Sequence, residues 1–508
     1  MRWHNLGDLI DRDRTLDKEA IIDLVDPASP QIYTHRQIDR LANGVAKYLV
    51  GQGFARGTHI AIVSLNRAEY LITYFGIMRA GCVAVPVNIK LPRDTIDYVM
   101  DDASIALAFV DAANRPLVKD GVPVIDFDEA GPGGEAGPGG FARTITPGDF
   151  TSVAAAPDEV GQMLYTSGST GRPKGVPLSH YGQLWALSTR TSGALNENER
   201  YIIAQPLFHM NGLFAAKTIF ATNASVVLLP AFETRSYIEA IARYKVTAAT
   251  AVPTMWARVV KENDFLRQHD ITSIRRLMLG SAPMTMGLWD KIKQALPNVT
   301  MSIGYGTTEA GPAVFGPHPQ GIPTPPLALG YPISLDDIKL VNGTENEGVL
   351  LMRNPARMSH YHNLPQQSAK AIVDGWYYSG DVMRRDDNGF FYFVGRADDM
   401  FVCSGENIYP GEVEKLLERH PQVQQAVVVP LPDEERSQVP VAFIVTRADA
   451  KPSVEEIRKF TIANGPAYQH PRRIEFVNEL PWAGTNKIDR KALIDRARSL
   501  EAAQGWSV

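Results

Sequence analysis

Between Tyr33 and Val87 the apolar residues fall into two alternating spacings. In HRQIDRLANGVAKYLV they return every three or four positions, the period of one helix face, whereas in HIAIVS they run together over the length of a strand. RAEYLITYFGIMRAG repeats the helical period and CVAVPVN the strand, so the rhythm predicts an α/β layered fold with a largely parallel sheet. ASIALAFVD and VPVID extend it weakly. The Gly-rich stretch GPGGEAGPGG (131–140) then reads as a flexible connector. Beyond it SVVLLP, VTAATAVP, RRLMLGS and VTMSIGYG are further strands, with TRSYIEAIARY as a helix between them.

The texture changes at Glu347. EGVLLMRN and GWYYSGDVMRRDDNGFFYFVG predict short strands joined by tight turns, with Asp387, Asn388 and Gly389 as a hairpin turn. After Arg396 a smaller α+β unit is expected: a helix GEVEKLLERHP, strands QQAVVVP and VAFIVT, a helix SVEEIRKFTIANG and a basic tail KIDRKALIDRARSL. We therefore divide the chain near Asp398, into a large domain of layered α/β subdomains (1–397) and a smaller C-terminal domain (398–508).

A chain of 508 residues is long enough for more than one core. Its formal net charge of -5 gives no sequence-wide attraction to nucleic acid or anionic lipid, so any phosphate binding must be local. The opening MRWHNLGDLIDRDR carries charges where a secretory signal needs an apolar run, and no segment approaches a membrane span. Cys82 and Cys403 are too few for a disulfide framework and lack metal-site spacing. A soluble cytoplasmic protein is expected.

The local phosphate site is legible in YTSGSTGRPKG, Tyr165 to Gly175. Glycines and hydroxyl side chains let backbone amides and Ser/Thr oxygens converge on an anion, and Lys174 adds a point charge. It is not a Walker A loop, which needs a Gly-Lys pair followed by Ser or Thr. The string resembles the phosphate loop of the adenylate-forming superfamily of acyl-CoA synthetases, luciferases and peptide-synthetase adenylation domains. Further signatures stand in the same order along the chain, from RAGCVAVPVN to NKIDRKAL.

The resemblance implies that Thr166, Ser167, Gly168, Ser169, Thr170, Gly171 and Lys174 hold the β- and γ-phosphates of ATP. In GYGTTEAG it makes Tyr305 the adenine-stacking aromatic, Thr308 the α-phosphate hydroxyl and Glu309 the magnesium ligand, with Ser281 and Ala282 of GSAP flanking the adenine. Asp381 of WYYSGDV would accept the ribose hydroxyls, Arg396 would contact ribose and phosphate, and Asp398 would be the hinge of a rotating C-terminal domain. That rotation presents Lys487 for adenylation and the loop of Ser404, Gly405 and Glu406 to coenzyme A for thioester formation. The catalytic set is then Lys487, Glu309, Thr308 and His209. Two departures from the family strings stand out: Asn486 replaces a glycine, and Ser404 and Cys403 replace the more usual Gly and Ser, respectively.

The acyl pocket is expected at His209, Met210, Leu213, Phe214, Gly280 and Gly306. No aspartate in PLFHMNG faces an ammonium group, which argues against an α-amino acid. Where synthetases of very short acids carry tryptophan, Gly306 is expected to leave room for an aryl ring or medium alkyl chain. The resemblance thus implies an ATP-dependent, AMP-forming acyl-CoA ligase using ATP, magnesium and CoA, with a small carboxylic acid as partner, no nucleic acid and no membrane span. A homodimer is left open. The alternative is an acyl-adenylating enzyme that loads a carrier protein or stands alone.

Overall fold

The computed structural model describes residues 3–128, 140–166, 172–191, 197–403, 406–433, 436–466, 469–482 and 488–504. Its large N-terminal domain contains two mainly parallel sheets. In one, the order is Val124–Asp126, Leu107–Val110, His59–Val63, Val83–Pro86, Val160–Thr166 and, antiparallel at the edge, Lys174–Ser179. In the other, the order is Thr300–Gly304, Arg276–Gly280, Ala248–Ala251, Arg200–Ile203, Ser225–Leu228, Glu19–Asp23 and Gln31–Thr34, again with an antiparallel edge. All eight strands expected from the alternating rhythm are present.

The helices form where the periodicity places them. His35–Gly51 starts at a Thr34 capping box closed by Gln37, and turns Ile38, Ala42, Val45 and Leu49 inward. It meets Ala68–Arg79 at Gly76, where a Cβ would come within 2.5 Å of Val45 Cβ, so glycine lets the two helices touch. One continuous core joins both sheets and the helices packed on them, including Ile60, Phe109 and Val226 of the strands and Phe75 and Phe220 of the helices.

An antiparallel sheet follows, built on Glu347–Met352, Trp376–Arg385 and Phe391–Arg396. The turn between the last two contains Gly389 at φ +83°, as the Asp-Asn-Gly cluster predicts. The smaller C-terminal domain has its own core around Val427, Val441, Phe443 and Ile457. Its long strands Val423–Asp433 and Ser437–Thr446 pair antiparallel, flanked by helices Pro410–Glu418 and Val454–Asn464. The segment expected as a basic tail is instead a helix, Arg490–Gln504, with Leu493 and Ala497 buried one turn apart. Helix Pro410–Glu418 docks on the large domain through Lys415, whose Nζ donates to Phe393 O at 2.9 Å.

Candidate active site

A cleft of about 2740 Å³ runs along the junction of the two domains. Pockets for a single small molecule are about 300–1,000 Å³, so there is room here for substrates as extended as a nucleotide joined to an acyl group. It is lined by Thr166, Lys174, His209, Met210, Phe214, Gly280, Ser281, Ala282, Tyr305, Gly306, Thr308, Glu309, Asp381, Arg396 and Asp398, residues that lie far apart in sequence.

Strands Val160–Thr166 and Lys174–Ser179 form the arms of the phosphate-loop hairpin, with Thr166 paired to Lys174 across the ladder. Ser167, Gly168, Ser169, Thr170 and Gly171 lie outside the described residues. Thr166 Oγ1 is buried and finds no hydrogen-bond partner among the described residues, a cost that an incoming phosphate oxygen would remove. Lys174 Nζ stands 4.4 Å from the centroid of the Tyr361 ring, and the Tyr361 hydroxyl donates to Glu309 Oε1 at 3.0 Å. Burial and the Glu309 carboxylate push the Tyr361 hydroxyl well above its ordinary pKa, so it remains a donor. Tyr361 thus links the phosphate-loop lysine to the acidic residue. It lies 52 residues from Glu309, and no sequence spacing signals it.

Among the described residues no group of three or more His, Cys, Asp or Glu side chains forms a metal cage. Glu309 lines the cleft as an oxygen donor near the phosphate-loop arm. One carboxylate of this kind suits a magnesium ion whose other ligands are substrate phosphates and water.

The ribose end is more tightly built. Asp381 and Arg396 are cross-strand partners in the antiparallel sheet, and Arg396 Nη1 donates to Asp381 Oδ1 at 2.9 Å and to Ser379 O at 2.9 Å. Arg396 Nη2 reaches Asp398 Oδ2 at 3.0 Å, and the Tyr305 hydroxyl donates to Asp381 Oδ2 at 2.5 Å. Only 7% of Asp381 is exposed, and burial raises its pKa against the opposing pull of Tyr305 and Arg396. Each of its oxygens already accepts a bond, and each retains a lone pair for a ribose hydroxyl.

Strand Arg276–Gly280 ends at Ser281, whose backbone is left-handed at φ +65°. Such a conformation is strained for a non-glycine residue and is held by its surroundings. Here Asn211 Nδ2 donates to Ser281 Oγ at 3.2 Å. This contact ties the GSAP turn to helix Met210–Ala221, and Asn211 was not among the expected site residues.

Two acyl-pocket expectations need correction. Leu213 is fully buried and does not line the cleft, because Met210, Phe214 and Thr218 form the cleft face of the helix and Leu213 lies on the other side. Gly306 does border the cleft, but a Cβ there would come within 2.5 Å of Pro312 Cα and 2.6 Å of Gly311 O. The missing side chain makes way for backbone, and room in the pocket is set by other residues. His209 is the residue preceding helix Met210–Ala221, with its ring edge-on to Phe208 at 4.7 Å.

Cys403 is buried in the C-terminal core, which suits a packed thiol. Ser404, Gly405, Lys487 and the side chain of Glu406 lie outside the described residues, as does the Gly-rich connector apart from Gly140. Trp482 and Ile488 flank the segment that carries Lys487; they pair with each other and both line the cleft. Cys403 and Ile408 flank the Ser404–Glu406 segment and do not line it.

Residues 11–362 match the family model described as AMP-binding enzyme, and residues 412–487 match that of the AMP-binding enzyme C-terminal domain. The chain is 31% identical over 481 residues to a fatty acid–[acyl-carrier-protein] ligase of Streptomyces coeruleorubidus, covering 91% of each chain. It is 29% identical to a feruloyl-CoA synthase of Amycolatopsis sp, covering 89% of this chain and 91% of the relative. Among solved structures it superposes on the anthranilate CoA ligase AuaEII in complex with anthranoyl-AMP, with a TM-score of 0.86, 28% identity and 98% of each chain covered. No described helix is long and apolar enough to cross a membrane.

Proposed function

This chain belongs to the AMP-binding enzyme family, and from that premise we propose that it is an ATP-dependent acid–thiol ligase that activates a carboxylic acid as its acyl-adenylate. The observation that carries the reading is the convergence of Thr166, Lys174, Glu309, Tyr305, Asp381 and Arg396 on one cleft, from segments dispersed over most of the large domain.

In the first half-reaction a carboxylate oxygen attacks the α-phosphorus of ATP and pyrophosphate leaves. A carboxylate is a weak nucleophile, so the barrier falls chiefly through positioning and through stabilisation of charge on the phosphates. Asp381 and Arg396 fix the ribose, Tyr305 flanks the base, and Lys174 and Thr166 hold the departing phosphates. Glu309 would hold a magnesium ion, which would supply positive charge at the same phosphates. Thr308 and Lys487 attend the α-phosphate, and His209 stands at the acyl side.

In the second half-reaction a thiol sulfur attacks the acyl carbon, the bond from that carbon to the adenylate oxygen breaks, and AMP leaves. Our reading is that the C-terminal domain turns about Asp398 between the two steps. The cleft-lining positions of Trp482 and Ile488, with Cys403 and Ile408 turned away, favour assigning the present arrangement to adenylation. A C-terminal body with its own core suits such a rigid rotation.

The acceptor thiol is that of CoA. The carrier-protein alternative draws on the name of the Streptomyces coeruleorubidus relative. We place the protein in the cytoplasm, a reducing compartment in keeping with its two free, buried cysteines. The reading is tested by incubating the protein with a panel of acids, ATP, magnesium and CoA. Acid-dependent release of AMP and pyrophosphate is expected, whereas ADP would refute it; a holo-carrier replacing CoA decides the acceptor.

A further inference from the structure

A cation with no described carboxylate beside it lines the wall of the cleft near the acyl side. Arg190 occupies the last turn of helix His180–Thr191, and its side chain reaches the cleft. Ala186, one turn earlier on the same face, packs with Ala313 and Ala356, against Trp185 and Phe214. Arg190 therefore stands beside the acyl-side helix Met210–Ala221 and the 313–315 segment. Its Nη1 donates to Phe315 O at 3.2 Å, and no described carboxylate lies within ion-pairing distance.

Other arginines of this chain show the contrast. Arg79, fully buried, has Asp39 at 2.7 Å; Arg396 has Asp381 at 2.9 Å; Arg490 has Glu414 at 2.7 Å. The 192–196 segment that follows Arg190 reads SGALN and contributes no acid. Burial lowers the pKa of Arg190, yet a guanidinium starts so high that it stays charged at neutral pH. It has five N–H donors, and one neutral carbonyl satisfies only part of them. The side chain is partly buried, with donors left over beside the Phe315 carbonyl, and an anion entering the cleft would supply the counter-charge that no described residue supplies.

We propose that Arg190 is a substrate-recognition residue, and that the acid activated here carries a second anionic oxygen group, a carboxylate, at the end remote from the reacting carboxyl. A guanidinium binds such a group in a bidentate fork, which fixes the orientation of an aryl or alkyl spacer against Phe214. This inference rests on the ligase reading and narrows it from aryl or medium-chain acids in general to those bearing a second charge.

The test uses the full-length enzyme and matched pairs: hexanoate with adipate, octanoate with suberate, benzoate with benzene-1,4-dicarboxylate. Pyrophosphate release and the melting temperature with each acid are both measured. The wild type is expected to favour the diacid in at least one pair, and Arg190→Gln to lower kcat/KM for that diacid by about tenfold or more, the scale of a lost charged hydrogen bond. Turnover of the matched monoacid should be unchanged, which also reports that the variant is folded, and Arg190→Lys should fall between. Preference for the monoacid in every pair, or equal loss for both members of a pair, would overturn the proposal. Should no acid release pyrophosphate, the ligase reading fails; Arg190 is then judged by melting temperature, where diacid stabilisation lost in Arg190→Gln supports it and none in the wild type refutes it.

Discussion

Lys217 shows how much a single residue can cost a well-packed domain. It is fully buried, its Nζ donates to Gln183 Oε1 at 2.9 Å, and burial alone brings its pKa down to about 7 from 10.5. Between these values the unfolded chain holds a proton that the folded one has lost, so this group makes stability rise with pH from about 7 to 10.5. Lys217→Met is expected to raise stability at pH 7 by about 1–3 kcal/mol and to flatten that rise. Urea unfolding at pH 7 and pH 9 measures both. Gly306 makes a second residue-scale case, since its absent Cβ accommodates Pro312 and Gly311. Gly306→Ala should lower the melting temperature and slow adenylation of short and long acids alike; a selective loss of the longer acids would return Gly306 to its sequence-based role as a pocket floor. At this scale the sequence showed residue types well and directions poorly. Leu213 and Phe214 are neighbours in one string, and only the helix phase separates core from cleft.

Elements were most legible where one periodicity ran unbroken. His59–Val63 and Val83–Pro86 are buried along nearly their whole length, and their apolar runs mark them without help from context. Val160–Thr166 is harder to see because Gln162, itself fully buried, interrupts the run and is satisfied by Tyr74, 88 residues away. Helix Arg490–Gln504 hid for the opposite reason: its charged residues outnumber the apolar positions Leu493 and Ala497 that anchor it. Helix Pro410–Glu418 carries the prediction that belongs to this scale. Lys415 is desolvated where it meets Phe393 O, and burial lowers its pKa. Lys415→Met removes the contact that docks this helix on the large domain. It should slow pyrophosphate release several-fold, about 1 kcal/mol of barrier, while leaving thioester formation from supplied acyl-adenylate intact. Equal slowing of the two would detach the contact from domain arrangement.

For the molecule as a whole, the two-domain α/β architecture and its order of motifs were readable in advance, because each strand, helix and loop announced itself locally. The cleft was not, since its walls come from residues such as Tyr361 and Glu309 that only the folded chain brings together. Domain alternation is a claim at this scale. Lys487→Ala should cut adenylation by orders of magnitude and spare the thioester step from supplied acyl-adenylate; loss of both steps together would remove the exchange of roles between the two faces of the C-terminal domain. More direct still is the fate of the carboxylate oxygen. With an acid labelled with oxygen-18 in its carboxyl group, the mechanism retains one labelled oxygen on the phosphate of AMP after the thioester forms. Mass spectrometry of the product should find AMP carrying that single label, and unlabelled AMP, or ADP in its place, would contradict activation through an acyl-adenylate.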